Sequence, residues 1–180
     1  MTNRFAEMDC FVLARCERNA DRDFEPVGEV TRLEQVYRRY AAVFENVFLV
    51  LKKDQAIERY LNYPHVLDDN SGRAPVIGLR TALEEARSEA VFIGNSGITD
   101  FPLHVVVDLV KNYNGELFLG YCDASRPDRH QPWFGVFSKR LIQRLTDTGV
   151  KSLSLSELLS RVGRILPLPP DIPAECLGLA

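Results

Sequence analysis

The sequence predicts an α/β fold, a three-layer α/β/α sandwich with a mostly parallel sheet. Short apolar runs alternate with longer amphipathic segments along the whole chain, as strands and helices do in βαβ units. The run NVFLVLK at 46–52 is almost continuously apolar, which is typical of a strand buried on both faces of a parallel sheet. A chain of 180 residues can bury one sizeable core. We therefore expect a single domain over residues 1–180, in which residues 167–180 form a proline-rich C-terminal tail.

The first elements follow from local patterns. Residues 10–14 (CFVLA) predict a buried first strand. Residues 31–43 carry apolar side chains at helical spacing, and Thr31 followed by Glu34 predicts a capping box where this helix begins. Residues 65–69 (HVLDD) predict a short strand that ends in two acids.

The middle of the chain continues the alternation. A Gly/Pro loop leads into a predicted helix at 76–87, and residues 91–95 (VFIGN) predict the next strand. Asp100 precedes a Phe-Pro pair, and an acidic cap with proline in the first turn favours a helix start, so we expect Asp100 to cap a helix at 101–113. The remainder predicts a strand at 116–121, a polar loop at 122–132 and a strand at 133–137. Two helices at 138–147 and 154–162 and a last strand at 164–168 follow.

Composition excludes several classes of protein. The net charge of −3, from 22 basic and 25 acidic residues, gives no overall basic footprint and so argues against bulk binding to nucleic acid or anionic membranes. No apolar run approaches the ~20 residues of a membrane span, and the N-terminus lacks a signal-peptide pattern, so we expect a cytoplasmic protein. The four cysteines contain no CxxC pair, which favours buried or incidental thiols over a zinc site or disulfides.

Ligands of such folds bind beyond the carboxyl ends of the strands. We therefore expect the loops after Ala14, Asp69 and Asn95 to lie along one edge of the sheet. The loop after the first strand is the usual phosphate cradle, but here it has no glycine until Gly28 and matches neither GxGxxG nor GxxxxGK[ST]. This motif therefore does not by itself indicate nucleotide binding.

The order of motifs nevertheless resembles a known family, the molybdenum cofactor guanylyltransferases and related MobA-like nucleotidyltransferases. VLDDNSGRAPVIGLRTALEEA at 66–86 resembles the family's acidic strand end, Gly-Pro-Leu-x-Gly loop and helix, and FVLARC at 11–16 stands where the family has Leu-Ala-Gly-Gly. The segments at 130–145 and 154–165 resemble its Gln/His-Pro-Leu strand and C-terminal helices. The similarity covers roughly residues 9–166.

The resemblance implies a Rossmann-like fold of the nucleotide-diphospho-sugar transferase type. It further implies transfer of GMP from GTP with Mg²⁺ onto a molybdopterin-type acceptor. Such chemistry depends on positioning, a metal ion and positive charge on the phosphates. The implied partners are a nucleotide, a molybdopterin-type ligand and a protein of cofactor assembly; Mg²⁺ and GTP are required only if the protein is active.

The chain departs from the family at positions that carry this chemistry. Arg15 and Cys16 replace the two glycines, and Phe24 stands where the family has its phosphate-binding lysine, whereas the adjacent acid survives as Asp23. Of the five lysines in the chain, the first is Lys52, well beyond the N-terminal loop.

The metal position has also changed. Ser96 stands where the family has its Mg²⁺-binding aspartate, and a hydroxyl is a poorer ligand for a hard cation than a carboxylate. Asp100, four residues on, is a metal ligand or a helix cap. Asp23 and Asp100 are therefore the two candidate catalytic carboxylates, and Asp100 is the candidate metal ligand.

The resemblance also suggests binding residues. The nucleotide candidates are Ala14, Arg15, Arg18, Arg22 and Asp69. The three arginines form a phosphate clamp in place of the glycines and lysine, or else lie in a solvated loop of mixed charge.

The acceptor candidates are Pro75 and Gly78, although a loop-to-helix junction also explains both. The acids at 68–69 contact guanine or a metal, or they serve turn geometry. Two functions remain open: a divergent nucleotidyltransferase whose catalytic motifs are largely lost, and a non-catalytic module that binds a nucleotide or cofactor.

Overall fold

The computed structural model describes residues 4–14, 20–52, 58–68, 75–146 and 154–179. Within these ranges the backbone forms nine strands. They are β1 (Asp9–Leu13), β2 (Pro26–Val27), β3 (Val30–Thr31), β4 (Val47–Lys52), β5 (His65–Asp68), β6 (Ala90–Asn95), β7 (Phe118–Asp123), β8 (Arg126–Ser138) and β9 (Arg164–Pro167).

Seven of these strands form one sheet in the order β5-β4-β1-β6-β8-β7-β9. Within this sheet β8 runs antiparallel to β6 and β7, and all other neighbours pair in parallel. The prediction of a mostly parallel sheet is confirmed. The remaining two strands, β2 and β3, form a separate short hairpin.

Six helices accompany the strands in the described residues. They are α1 (Arg32–Ala41), α2 (Glu58–Leu61), α3 (Pro75–Glu85), α4 (Leu103–Asn112), α5 (Leu141–Thr146) and α6 (Leu155–Val162). The predicted capping box is present in α1, where the Thr31 hydroxyl accepts from the Glu34 N–H and the Glu34 carboxylate accepts from the Thr31 N–H. None of these helices is both long and apolar enough to cross a membrane.

Two apolar clusters cover the two faces of the sheet. Alternate residues of β1 belong to different clusters: Cys10 and Val12 to the first, Phe11 and Leu13 to the second. The first cluster also contains side chains from α1 and α4, and the second contains side chains from α3, α5 and α6. Because successive strand residues point to opposite faces, helices cover both faces. The three-layer prediction is confirmed.

The prediction that Asp100 caps a helix is wrong. The helix α4 begins at Leu103, and its cap is Pro102, which makes no side-chain capping hydrogen bond. Asp100 is exposed, and its carboxylate accepts a hydrogen bond from the Thr99 hydroxyl at 3.1 Å. Pro102 is extended, and proline also disfavours the helical conformation in the residue before it, Phe101. The Asp100 carboxylate is therefore not used by the helix.

The prediction of a polar loop at 122–132 is also wrong. This segment holds the end of β7, a tight turn and the start of β8, and the two strands pair as a hairpin. The Asp123 carboxylate accepts hydrogen bonds from the Ser125 hydroxyl, the Ser125 N–H and Arg126, and together these lower the pKa of Asp123 to about 2. Residues 124–129 are all exposed. The hairpin carries polar side chains because both of its sides meet water, so the alternation that normally marks a strand is missing.

Residues 168–179 pack against the sheet. Leu168, Ile172, Leu177 and Leu179 are buried in the first cluster. The Gln131 side-chain amide donates to the Leu177 carbonyl at 2.7 Å, which ties this segment to β8.

His130, expected in the polar loop, lies in β8 and is 7% exposed. Its Nε2 lies 3.3 Å from the Ser156 hydroxyl and its Nδ1 lies 3.4 Å from the Ser160 hydroxyl, both on α6. Each ring nitrogen thus lies within hydrogen-bond distance of a serine hydroxyl of α6. The imidazole therefore joins β8 to α6.

We expect His130 to make the protein less stable in mild acid. Burial lowers the pKa of His130 below its ordinary value of 6.5, so the unfolded chain takes up this proton at a higher pH than the folded chain. The stability that the unprotonated His130 contributes is complete above pH 6.5 and is lost as the pH falls through the lowered pKa. The free energy of unfolding in urea, measured between about pH 7.5 and about pH 5, should therefore change less steeply with pH in His130→Asn than in the wild type. His104→Asn, at an exposed position, should keep the wild-type slope; equal slopes for wild type and His130→Asn would contradict this role.

Candidate functional site

Four parallel strands bring their carboxyl ends to one edge of the sheet. Leu13, at the end of β1, pairs with Val50 of β4 and with Asn95, the last residue of β6. At the neighbouring ends, Lys52 of β4 pairs with Asp68 of β5. This carboxyl edge is the place where ligands of open α/β sheets bind.

Asp23 and Ser96 meet at the carboxyl edge. Asp23 ends a 3₁₀ turn (Ala20–Asp23), and the Ser96 hydroxyl donates to its carboxylate at 2.6 Å. Both residues are 0% exposed. Ser96 is itself fixed, because its N–H donates to the Leu13 carbonyl at 3.1 Å and the preceding Asn95 side chain accepts from the Gly97 N–H at 2.7 Å. The candidate catalytic carboxylate therefore contacts the residue at the implied metal position.

Lys52 and Asp68 form a buried ion pair at the same edge. The Lys52 Nζ lies 2.5 Å from the Asp68 carboxylate, and the two side chains are 11% and 2% exposed. The ammonium lies on β4, next to β1, rather than in the N-terminal loop. The first lysine of the chain is thus near the expected ligand position but is bound to a carboxylate.

The nucleotide candidates are only partly covered by the described residues. Ala14 is buried, and its N–H donates to the Val50 carbonyl at 3.2 Å. Arg22 is exposed in the 3₁₀ turn, directly before the buried Asp23. The predictions for Arg15, Arg18 and Asp69 lie outside the described residues.

The acceptor candidates lie in α3, where Pro75 is the first residue and Gly78 follows one turn later. Gly78 is buried, and a side chain at this glycine would point to Leu13 and Val50 at the ends of β1 and β4. Their contact distances, 3.8 Å each, are ordinary, so packing does not require glycine here. The acceptor role of both residues stays a prediction.

Gly78→Ala is therefore expected to stabilise the protein by about 0.5–1 kcal/mol, since glycine is the poorer helix former and the new methyl group fits. The free energy of unfolding in urea measures this change. A loss of stability would show that the ends of β1 and β4 approach α3 more tightly than these distances indicate.

Of the described residues at the carboxyl edge, Asp23 and Ser96 offer no accessible surface to a hydrated divalent cation. Mg²⁺ keeps several water ligands in most protein sites, whereas Asp23 is inaccessible to solvent and its carboxylate is engaged by Ser96. Among the described residues, no three His, Cys, Asp or Glu side chains are grouped as metal ligands would be. Asp100 is the exposed carboxylate of the loop after β6.

Sequence reasoning missed the pairs at this edge. It considered Asp23 and Ser96 separately, and Lys52 drew attention only because it lies outside the N-terminal loop. A usable signal was present for the ion pair, because a strand that ends in lysine precedes a strand that ends in aspartate. No comparable signal links Asp23 to Ser96, which are 73 residues apart.

Comparison with known proteins identifies the family. The family model described as MobA-like NTP transferase domain matches residues 14–163. A probable molybdenum cofactor guanylyltransferase of Aquifex aeolicus (strain VF5) is 29% identical over 115 residues, which are 64% of this chain and 54% of that protein. The match thus spans about half the length of this curated relative.

Solved structures share the fold. A putative protein from Aquifex aeolicus VF5 has a TM-score of 0.72 and 25% identity, with coverage of 96% of this chain and 91% of that one. Molybdopterin-guanine dinucleotide biosynthesis protein A from Archaeoglobus fulgidus has a TM-score of 0.67 and 16% identity, with coverage of 90% and 83%. At that identity the second likeness concerns the fold alone. Since the family model matches most of its length, the chain belongs to the MobA-like NTP transferase domain family.

Proposed function

We propose that this protein binds a nucleoside triphosphate at the carboxyl edge and has largely lost metal-dependent nucleotidyl transfer. Membership of an NTP transferase family supports the nucleotide. The Aquifex relative is named a guanylyltransferase, so GTP is the first candidate. A molybdopterin-type ligand, a partner protein of cofactor assembly and a cytoplasmic location accompany this proposal.

The observation that carries the proposal is the burial of Asp23 against Ser96. A carboxylate that takes part in metal-dependent transfer must reach the cation or the substrate. Here the carboxylate is 0% exposed and accepts a 2.6 Å hydrogen bond from a residue that is a poor cation ligand. Contacts made only in the transition state cannot be replaced by binding to the scaffold, so their loss removes turnover before it removes binding.

Positive charge for the phosphates is available from Arg22. Its side chain is exposed, and the turn that carries it is fixed to the end of β6 through the next residue, Asp23. A guanidinium can clamp phosphate oxygens through two parallel hydrogen bonds. Arg22 therefore supports phosphate binding without the family's lysine.

An active transferase is the second candidate, and Asp100 is the observation that favours it. This carboxylate is exposed in the loop after β6 and does not cap α4. It would hold Mg²⁺ in this case, and Asp100→Ala would then abolish turnover.

Titration calorimetry tests the proposal directly. We expect GTP to bind with affinities that agree within about twofold in Mg²⁺ and in EDTA. Arg22→Ala should weaken binding by roughly tenfold or more, which corresponds to the loss of a charge-assisted phosphate contact. Arg144→Ala, which removes an exposed arginine of α5, should leave the affinity unchanged. Failure of GTP, ATP and CTP to bind at millimolar concentration would overturn the proposal.

A further inference from the structure

The Asp23–Ser96 contact joins two distant parts of the chain. The 3₁₀ turn that ends at Asp23 follows β1 in sequence, whereas Ser96 follows β6, and the two residues are 73 positions apart. Ser96 is held by the backbone of β1 through the Leu13 carbonyl. The contact therefore fixes the turn, with the exposed Arg22 on it, to the carboxyl edge.

We propose that the Ser96–Asp23 hydrogen bond is an anchor that works without a metal ion and positions the turn for nucleotide binding. In this anchor the Ser96 hydroxyl donates its proton to the Asp23 carboxylate. A carboxylate at position 96 would instead need a cation between itself and Asp23. The affinity part of this inference rests on the proposed function, whereas the part that concerns the anchor itself does not.

The chemistry of a buried carboxylate supports the anchor. A carboxylate that is removed from water must be compensated by hydrogen bonds or by a counter-ion. The 2.6 Å separation of the Ser96 Oγ and the Asp23 Oδ2 falls in the range of charge-assisted O–H donors. Because Ser96 is also 0% exposed and has its backbone fixed, its hydroxyl needs no rearrangement to make this bond.

Burial also explains why the anchor excludes Mg²⁺. This ion demands octahedral geometry and gives up its water ligands reluctantly, and neither Asp23 nor Ser96 has any accessible surface for a hydrated ion. A carboxylate in place of the hydroxyl would set two negative groups at contact distance. Only a divalent cation or a proton between them would relieve that repulsion.

Thermal unfolding without nucleotide tests the anchor. The melting temperature of the wild type should not change when Mg²⁺ or Mn²⁺ replaces a monovalent salt at equal ionic strength. Ser96→Ala should lower the melting temperature by roughly 5 °C, and Ser96→Thr should restore it. Ser96→Asp should melt below Ser96→Ala in EDTA, because it sets two negative groups at contact distance. If Ser96→Asp melts as the wild type does in EDTA, the inference fails.

Calorimetry with GTP in EDTA tests the positioning role. Ser96→Ala and Asp23→Ala should weaken GTP binding by roughly fivefold or more, and Asp23→Asn, which keeps an acceptor oxygen, should weaken it clearly less than Asp23→Ala does. The control is Ser138→Ala, which removes a buried serine outside the carboxyl edge and should lower the melting temperature without changing the affinity. If Asp23→Asn weakens binding as strongly as Asp23→Ala, the charge rather than the hydrogen bond matters and the inference is overturned. That result would not affect the proposed function. Absence of GTP binding to the wild type would overturn the proposed function.

Discussion

Gly94→Ala is expected to reduce the free energy of unfolding by about 3 kcal/mol, at the upper end of the usual cost of overpacking a core. An added methyl group at Gly94 would lie 2.2 Å from the Tyr40 hydroxyl and 2.4 Å from the ring carbon that bears it. Both distances are far inside van der Waals contact, so the ring or β6 must move.

The Tyr40 ring has little freedom to move. It is 0% exposed, stacks on Phe101 with centroids 5.0 Å apart and contacts Phe92 at 5.6 Å. Phe101 is held in turn by Arg39, whose guanidinium lies over the Phe101 ring and donates a hydrogen bond to the Phe101 carbonyl. Because the Tyr40 ring is closely packed, it cannot move away from the new methyl group without displacing its neighbours.

Equilibrium unfolding in urea measures this effect, and Gly78→Ala is the matched control. Both substitutions add one methyl group to a buried glycine near the carboxyl edge, but only the group at Gly94 meets atoms at forbidden distances. A loss of less than about 1 kcal/mol for Gly94→Ala would show that Tyr40 can leave its position at small cost.

Lys52→Met is expected to cost about 3–5 kcal/mol, because it leaves the buried Asp68 carboxylate without its ammonium partner. Removal of one member of a buried pair is expensive, since the remaining charge is shielded from water and loses the attraction of this ammonium. The aliphatic part of lysine is well matched by methionine, so the loss measures charge rather than packing.

A double variant separates the two contributions. Lys52→Met combined with Asp68→Leu should recover much of the stability lost by Lys52→Met alone, because apolar side chains of similar volume can replace a buried ion pair. Arg80→Ala, which breaks the exposed pair between Arg80 and Glu84 in α3, should cost less than about 1 kcal/mol. If Lys52→Met were as mild as Arg80→Ala, the ion pair would contribute little to the fold.

Elements with a clear hydrophobic period could be predicted from sequence. The helix at 32–41 and the strand at 47–52 each carry enough residues for an unambiguous pattern, and the order of elements then implied a parallel sheet. The hairpin β2–β3 and the four-residue helix α2 were not predicted, because such short elements show no period.

The candidate site was less predictable than the fold. Parallel topology places strand ends at one edge, so the location could be inferred from sequence. The partners at that edge are set by three-dimensional contacts such as Ser96 with Asp23 and Tyr40 beneath Gly94, which leave no local signal. Asp100 was misjudged because a good cap residue at the wrong distance from the first helical turn cannot satisfy the free N–H groups.

The most direct test of the account is release of pyrophosphate from GTP, measured in Mg²⁺ on samples for which calorimetry has shown GTP to be bound. Reactions should be run with and without a molybdopterin-type acceptor. The account predicts bound GTP with pyrophosphate release no faster than in protein-free controls. Mg²⁺-dependent release above that level, abolished by Asp100→Ala, would contradict it and establish this chain as an active nucleotidyltransferase.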